Sequence, residues 1–152
     1  MRTRLRDFLE AEQATAHFHP HRPAYTAQEV AATEHVPGHA VAKVVMAVAD
    51  GRMVMLVLPA PLRVDLGRVR DGLGVHDVRL AGESEFAGLF PDCEAGAQPP
   101  FGHLYGVDVY MDPSLADSAV VLFEAGSHRE TAVMPFDEFQ RLEHPHLLPF
   151  AV

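Results

Sequence analysis

The sequence is short of cysteine, of lysine and of long hydrophobic runs, and each shortage excludes a class of protein. Its 152 residues include one cysteine, Cys93, so an intramolecular disulfide and a zinc site with several cysteines are both excluded. The longest apolar run, 40–49, is far below the roughly 18 residues of a membrane span and is interrupted by Lys43. The basic segment 1–7 has no apolar stretch behind it and so lacks the pattern of a secretory signal. We therefore expect a cytoplasmic protein with no membrane contact.

Basic residues are scarce in the second half of the chain. The net charge is −9, which argues against a general nucleic-acid coat protein. Residues 1–80 hold 10 Lys and Arg against 9 Asp and Glu, whereas residues 81–152 hold 2 against 12. A polyanionic partner would therefore meet the first half, unless its arginines are only a solvated surface. The available contacts there are Arg2, Arg4, Arg6, Arg63, Arg68, Arg70 and Arg79.

The elements that the sequence does encode predict one α+β domain spanning 1–152. An Asp50-Gly51 pair between two apolar runs, 40–49 and 52–58, predicts a hairpin. Thr26 and Glu29 have the spacing of a capping box, which predicts a helix from there to Glu34. Strands and helices do not alternate regularly, which favours a mixed, antiparallel-rich, curved sheet with flanking helices. The other predicted elements are helices at 4–13, 65–70, 83–90 and 135–142, strands at 75–80 and 104–111, and a second hairpin formed by 119–123 and 129–134.

Several familiar catalytic motifs are also missing. The chain has no G-x-S-x-G, no P-loop and no G-x-G-x-x-G sequence. A serine hydrolase of the usual type, a P-loop enzyme and a dinucleotide-binding enzyme therefore have no support from sequence.

Lys43 is the most informative residue, because it is the only lysine among twelve basic residues. It lies in an otherwise apolar predicted strand, where it shares a face with Val41 and Val45. An ammonium on a packed face is costly unless it meets an anion or a cavity, and it suits a phosphate, a carboxylate or a developing oxyanion. The alternative is that the side chain extends to solvent from a strand whose other face is the core.

Two further segments could contact a ligand through their backbones. The loop 96–102, Gly-Ala-Gln-Pro-Pro-Phe-Gly, combines stiff prolines with glycines that allow close approach, and its free N–H groups could hold an anion or a carbonyl oxygen. Gly126-Ser127-His128 would be a turn with hydrogen-bond donors at its tip. The alternatives are a rigid connector and an ordinary hairpin turn.

The remaining candidates are weaker. His17, His19 and His21 alternate along a short segment, but a metal site would need further ligands, and Pro20 disturbs the geometry. Cys93 has no neighbouring base in the sequence, so an inert thiol is the simpler interpretation.

Taken together, these features resemble the YbaK and prolyl-tRNA-synthetase-associated domain family of aminoacyl-tRNA deacylases. The lone strand lysine followed by a Gly-x-x-Pro-Pro-Phe-Gly loop is the specific part of the resemblance. The matching segments are His19-Pro20, residues 26–31, residues 42–45, residues 96–102 and residues 126–128.

The resemblance implies a free-standing editing enzyme that hydrolyses the ester between a wrong amino acid and the 3′-terminal adenosine of a tRNA. Lys43 would hold the terminal phosphate or the reacting end, and Gly96 with the following backbone would cradle the carbonyl and help to place water. The chemistry would be substrate-assisted and would need neither a metal nor another cofactor. The partner would be the acceptor end of a mischarged tRNA, either alone or delivered by a synthetase. The substrate-binding residues implied are Ala97, Gln98, Pro99, Pro100, Phe101, Gly102, Ser127 and His128.

The sequence departs from the family at one position and leaves the substrate open. Relatives that remove alanine from proline tRNA usually carry asparagine after the lysine, where this chain has Val44. The edited amino acid is therefore not assigned. Two other hypotheses also stand: a non-catalytic binding module of the same fold, and a metal-dependent hydrolase that uses the histidine tract.

Overall fold

Eight strands and five α-helices are formed by residues 3–22 and 26–152, which are the residues that the computed structural model of the chain describes. The strands are β1 (His17–Pro20), β2 (Ala42–Ala49), β3 (Arg52–Pro59), β4 (Val78–Leu80), β5 (Asp108–Met111), β6 (Val120–Ser127), β7 (Glu130–Pro135) and β8 (His146–Leu147). The helices are α1 (Arg4–Ala11), α2 (Ala27–Thr33), α3 (Leu66–Leu73), α4 (Glu83–Phe86) and α5 (Phe136–Glu143).

The strands form two sheets that meet at one side of β2. The larger sheet has the order β4-β2-β3-β5-β8 and the smaller has the order β1-β7-β6. Four of the six strand pairings are antiparallel and two are parallel. A parallel bridge between Val41 and Leu122 joins β2 to β6. The predicted α+β class with an antiparallel-rich arrangement is thus confirmed, although the strands are divided between two sheets.

Local sequence explains the elements that hold the site. Asp50 and Gly51 both have positive φ (46° and 80°), as a two-residue turn between twisted strands requires, and Ala49 pairs with Arg52 across it. The predicted capping box is also present: the Thr26 hydroxyl accepts from the Glu29 N–H, and the Glu29 carboxylate accepts from the Thr26 N–H. Both predictions are confirmed.

The strand β2 separates two apolar cores. Ala42 and Met46 face the main core, whereas Val45, Ala47 and Ala49 face a second one that includes Phe150. The alternation places Lys43 on the face of Val45. The lysine therefore lies at the end of the second core, close to the loop that follows β3.

Several predicted boundaries are wrong. The strand predicted for 104–111 starts only at Asp108, because Gly102–Tyr105 forms a 3₁₀ turn that ends at Gly106 in the left-handed region (φ 71°). The helix predicted for 83–90 is α-helical only to Phe86, and the strand predicted for 75–80 begins at Val78. The helix predicted for 65–70 continues to Leu73, and the one predicted for 4–13 ends at Ala11.

The second hairpin also differs from its prediction. The strand β6 runs through Gly126 to Ser127, with a register shift after Glu124, so the turn itself falls at residues 128–129. Gly126 has a φ of 97°, which allows the irregularity in β6. The Gly126-Ser127-His128 segment is therefore the end of a strand with one turn residue.

Candidate active site

A cavity of about 340 Å³ opens where the two sheets diverge. Its floor includes Lys43 and Val44 from β2, and Phe123 and Glu124 from β6. The start of α2 closes one side, and the loop before Gly102 closes another. The residues contributed by that helix and that loop are Thr26, Ala27, Gln28, Gly96 and Gln98.

The bridge between the sheets explains why two charged residues meet at this cavity. Lys43 lies two residues after Val41, and Glu124 lies two residues after Leu122, on strands that run in the same direction. Beyond the bridge the strands belong to separate sheets, and the space between them is the cavity. Among the described residues that line the cavity, Lys43 and Glu124 are the two with ionisable side chains.

Lys43 is half-buried, and its amine is held by a neutral group. Nζ donates to the backbone carbonyl of Leu62, which lies two residues beyond the cavity-lining Ala60. Burial lowers the pKa of Lys43, and the positive charge of Arg63 lowers it further. No carboxylate of the described residues forms an ion pair with this amine. The ammonium therefore has unused capacity for an anion.

The predicted loop divides into a part at the cavity and a part in the core. Gly96 and Gln98 line the cavity. Gly96 adopts a φ of 85°, which favours glycine, and this conformation lets the chain turn between the exposed Gly96 and the buried Ala97. The remaining predicted residues of the loop are buried and do not line the cavity among the described residues; they are Ala97, Pro99, Pro100, Phe101 and Gly102.

Phe101 and Gly102 pack in the core and do not line the cavity where the resemblance implies a substrate contact. Phe101 is 0% exposed, and its ring packs edge-on against Phe123 and Phe139 at centroid distances of 5.6 and 5.3 Å. A Cβ on Gly102 would lie 2.6 Å from the carbonyl oxygen of Val107. These two residues fix the loop to the core, so they act on the cavity through the loop's position.

Gln98 has a buried amide without a partner. The residue is 5% exposed, and its Nε2 atom has no hydrogen-bond acceptor among the described residues. The backbone N–H groups of Gly96 and Gln98 likewise have no acceptor there. Because unpaired buried donors are rare in proteins, the Gln98 amide indicates a polar ligand at the cavity, and the N–H of the exposed Gly96 is open to the same ligand.

His128 connects the loop to Glu124 and lies behind the residues that line the cavity. Its Nε2–H donates to the Ala95 carbonyl (2.9 Å), and its Nδ1 lies 3.6 Å from a carboxylate oxygen of Glu124. The bond to Ala95 raises the pKa of His128, and the charges of Glu124 and Glu94 add to the increase. His128 therefore lies beside the predicted site but is not one of the residues that line it.

Ser127 helps to hold the loop against the end of β6. Its hydroxyl donates to Glu94 (3.3 Å), whose carboxylate also accepts from the His128 N–H (3.1 Å). Two backbone hydrogen bonds, Glu94 N–H to Gly126 and Gly126 N–H to Ala97, attach the loop to the end of β6. The two segments that the sequence analysis singled out are thus brought together, with Ser127 in a bracing position.

Glu124 is the residue that sequence reasoning missed. It is half-buried, and burial raises the pKa of its carboxyl, against the opposing effect of His128. The signal was available, since Glu124 is the one charged residue of the apolar run 119–125. Like Lys43, it is an ionisable side chain in an apolar strand, which is costly unless it meets an opposite charge or a cavity.

Cys93 has the character of an inert thiol. It lies next to the hydroxyl of Tyr105 (3.4 Å), which in turn donates to Asp92. Burial raises the pKa of Cys93 to about 11, so its thiolate is scarce at neutral pH.

The histidine tract is spread along β1 and its end. His19 lies 3.6 Å from Glu34, and His21 contacts the carbonyl of Arg22. Within residues 3–22 and 26–152, no group of three or more His, Cys, Asp or Glu side chains is arranged to hold a metal ion.

Most of the expected arginine surface is neutralised by nearby carboxylates. Arg68 lies near Asp65, Arg70 lies near Asp71, and Arg79 forms a bidentate ion pair with Glu85. Arg6 pairs with Glu130, Arg4 stacks on Tyr105, and Arg2 lies outside the described residues. Arg63 is the exception near the cavity: it is exposed and has no carboxylate partner among the described residues.

Comparison with known proteins identifies the family. The model of the aminoacyl-tRNA editing domain matches residues 21–142, which are 122 of the 152 residues. The chain belongs to the aminoacyl-tRNA editing domain family. The resemblance to the YbaK group stated from sequence is thereby confirmed.

Solved structures agree with this fold. The editing domain superposes on the hypothetical protein APE2540 with a TM-score of 0.84 at 19% identity, over 97% of this chain and 99% of that one. It also matches a protein whose suggested role is trans-editing for prolyl-tRNA synthetase, with a TM-score of 0.83 at 18% identity over 100% and 99% of the two chains. No curated protein matches the sequence. At these identities the likeness shows the fold alone.

The helices of the editing domain are short. None of those in the described residues has the length and hydrophobicity to cross a membrane.

Proposed function

We propose that this editing domain is an aminoacyl-tRNA deacylase that hydrolyses the ester of mischarged tRNA in trans. The observation that carries the proposal is the cavity itself, a space of about 340 Å³ bordered by an ammonium without an ion-pair partner and three N–H donors without an acceptor among the described residues. An ester between an amino acid and a terminal adenosine brings a phosphate and a carbonyl that match these groups.

Lys43 would bind the phosphate on the 5′ side of the terminal adenosine. Its present partner, the Leu62 carbonyl, is neutral and can be exchanged for an anion without breaking an ion pair. A charge-assisted bond to phosphate is roughly twice as strong as a neutral one. This contact would place the ester in the cavity beside the loop.

The N–H groups of Gly96 and Gln98 would stabilise the negative charge that develops on the ester carbonyl oxygen. Water attacks the carbonyl carbon to give a tetrahedral intermediate; the bond to the ribose 3′-oxygen then breaks, and that oxygen takes up a proton. Donors that are already in position lower the barrier because they need no reorganisation. The products are the free amino acid and the tRNA.

The residues around the cavity fit a reaction in which the substrate itself assists the proton transfer. The described residues that line the cavity include no cysteine, serine or histidine that could form a nucleophile and base pair. The neighbouring 2′-hydroxyl of the ribose would orient the attacking water instead. The protein's part is then to position the ester and to stabilise charge.

A panel of mischarged tRNAs tests the proposal. The protein is incubated with tRNAs that each carry one wrong small amino acid, and release of the amino acid is followed over the uncatalysed rate. Hydrolysis of at least one member, unaffected by a chelator, supports the deacylase. A protein that leaves the whole panel intact would be a binding module, and activity that disappears with a chelator would favour the metal-dependent hydrolase.

A further inference from the structure

The cavity carries opposite charges at its two strands, and the proposed chemistry uses only one of them. Lys43 supplies the cation on β2, and Glu124 supplies an anion on β6. An aminoacyl ester of a terminal adenosine has the complementary pattern, because a phosphate lies on one side of the ribose and an α-ammonium lies beyond the carbonyl. We infer that Glu124 binds the free α-ammonium of the aminoacyl group, which makes the site selective for esters with an unblocked amino group.

The contacts of Glu124 leave it able to accept this bond. Its one ion-pair partner among the described residues is His128, at 3.6 Å, which is longer than a hydrogen bond. The side chain is 27% exposed at the cavity. A half-buried carboxylate with an unused acceptor is costly in the empty site and becomes favourable when a cation arrives.

The rest of the lining decides where the ammonium would lie. Gly96 and Gln98 supply the donors, so the carbonyl of the ester belongs on their side of the cavity. Phe123 precedes Glu124 on β6, and Val44 follows Lys43 on β2; these are apolar neighbours that suit a side chain but not a charge. Of the lining residues that the structure describes, Glu124 is therefore the one that suits the α-ammonium.

This inference rests on the proposed function and sharpens its substrate class. An N-acylated ester, such as a peptidyl or formylated aminoacyl-tRNA, has no positive charge at this position and would leave Glu124 buried against a neutral amide. Such substrates are expected to be rejected. The editing domain would then spare tRNAs that carry a growing or initiating chain.

The test compares one substrate with its blocked form. The best tRNA of the panel is used as such and after N-acetylation, at about pH 6.5, where an α-amino group is protonated. The wild type is expected to cleave the free form at least about 10-fold faster in kcat/KM. Glu124→Gln is expected to lose that preference by slowing the free form, while the acetylated form stays within about twofold.

Three controls separate this role from others. Glu83→Gln removes the same charge from an exposed position that lines no part of the cavity, and it should leave the ratio unchanged. Glu124→Asp keeps the carboxylate and should keep part of the preference. Thermal melting of each variant shows whether the fold is intact.

The same pair of ligands can be tested without hydrolysis. Adenosine carrying alanine through a 3′-amide, and its N-acetyl derivative, are titrated against the wild type and Glu124→Gln. Tighter binding of the free amine by about 10-fold, lost in the variant, supports the inference. It does so even if no tRNA is hydrolysed, because a lack of hydrolysis would overturn only the deacylase. Equal use of both forms by the wild type would overturn the inference, as would a folded Glu124→Gln that slows both forms equally, because Glu124 would then act on the water or the fold.

Discussion

Lys43 and Glu124 occupy equivalent positions on two parallel-running strands, each two residues beyond the bridge between Val41 and Leu122. Each is the charged member of an otherwise apolar run, and both line the cavity where the sheets separate. Charged residues in such places cost folding free energy, since burial disfavours their ionised forms. The position of both charges at one open cavity fits a ligand that carries both signs of charge, as the proposed substrate does.

Replacing Gly96 with alanine should strain the loop that supplies the donors. At a φ of 85° the new Cβ costs about 1–2 kcal/mol, although the nearest side-chain atom, in the His128 ring, would be 3.7 Å away and causes no clash. We expect lower kcat/KM together with a small loss of stability, measured by hydrolysis and thermal melting. Gly88→Ala, at a glycine with open space around it, is the control and should change neither. An unchanged kcat/KM for Gly96→Ala would remove the loop backbone from the mechanism.

Gly102→Ala should reduce the stability of the fold more than it reduces kcat/KM for hydrolysis. Its Cβ would lie 2.6 Å from both the Val107 carbonyl oxygen and a methyl of Val109, so the backbone must shift. We expect a loss of about 1–3 kcal/mol in the free energy of unfolding, measured with denaturant. Gly38→Ala, where a Cβ meets nothing within 4 Å, is the matched control. If both variants unfold at the same denaturant concentration, the close packing of Gly102 is not as described.

The carboxyl of Glu143 should make stability fall as the pH rises. Burial raises the pKa of Glu143 to about 7 in the folded protein, against a contact with His103 that lowers it. The folded state therefore binds more protons than the unfolded state between about pH 4.5 and 7, and stability is lost as pH rises through that range.

Glu143→Gln should remove this contribution. Denaturant unfolding from pH 4.5 to 8 is expected to show the wild type losing stability relative to the variant as the pH increases. His103→Gln tests the partner, since loss of the imidazole should raise the pKa of Glu143 further. Parallel pH curves for wild type and Glu143→Gln would contradict the raised pKa.

Salt should weaken the action of the editing domain on tRNA, with Arg63 as one contributor. Each phosphate contact to a single strand adds about 0.7 to the slope of log affinity against log salt. Arg63 is exposed near Lys43 without a carboxylate partner among the described residues, so Arg63→Ala should raise KM and reduce that slope by about one contact. Arg70→Ala, whose partner is Asp71, should leave the slope unchanged. A flat salt response of the wild type would exclude direct phosphate contacts.

Local sequence was sufficient for the elements with strong local signals. The Asp50-Gly51 turn and the capping box of Thr26 and Glu29 depend on neighbouring residues alone, and both were predicted correctly. The 3₁₀ turn at Gly102–Tyr105 was not, because it depends on Gly102 packing against a strand that follows it.

The candidate site could be predicted only in part, because some of its features depend on local sequence and others on tertiary contacts. Lys43 stands out in any apolar strand, but the burial of Phe101 depends on Phe123 and Phe139, which are distant in sequence. The role of Glu124 depends on a bridge between two sheets, and no local pattern encodes that register. Sequence therefore indicated which segments matter, and tertiary contacts decided which of their residues face the cavity.

Hydrolysis of the best mischarged tRNA by Lys43→Ala is the most direct test of the account. The loss of one charge-assisted bond should lower kcat/KM roughly 10- to 100-fold, with the fold intact by thermal melting. Arg141→Ala, which removes one positive charge from the exposed side of α5, should retain wild-type activity. A folded Lys43→Ala variant that hydrolyses the tRNA as fast as the wild type would contradict the placement of the reaction in this cavity.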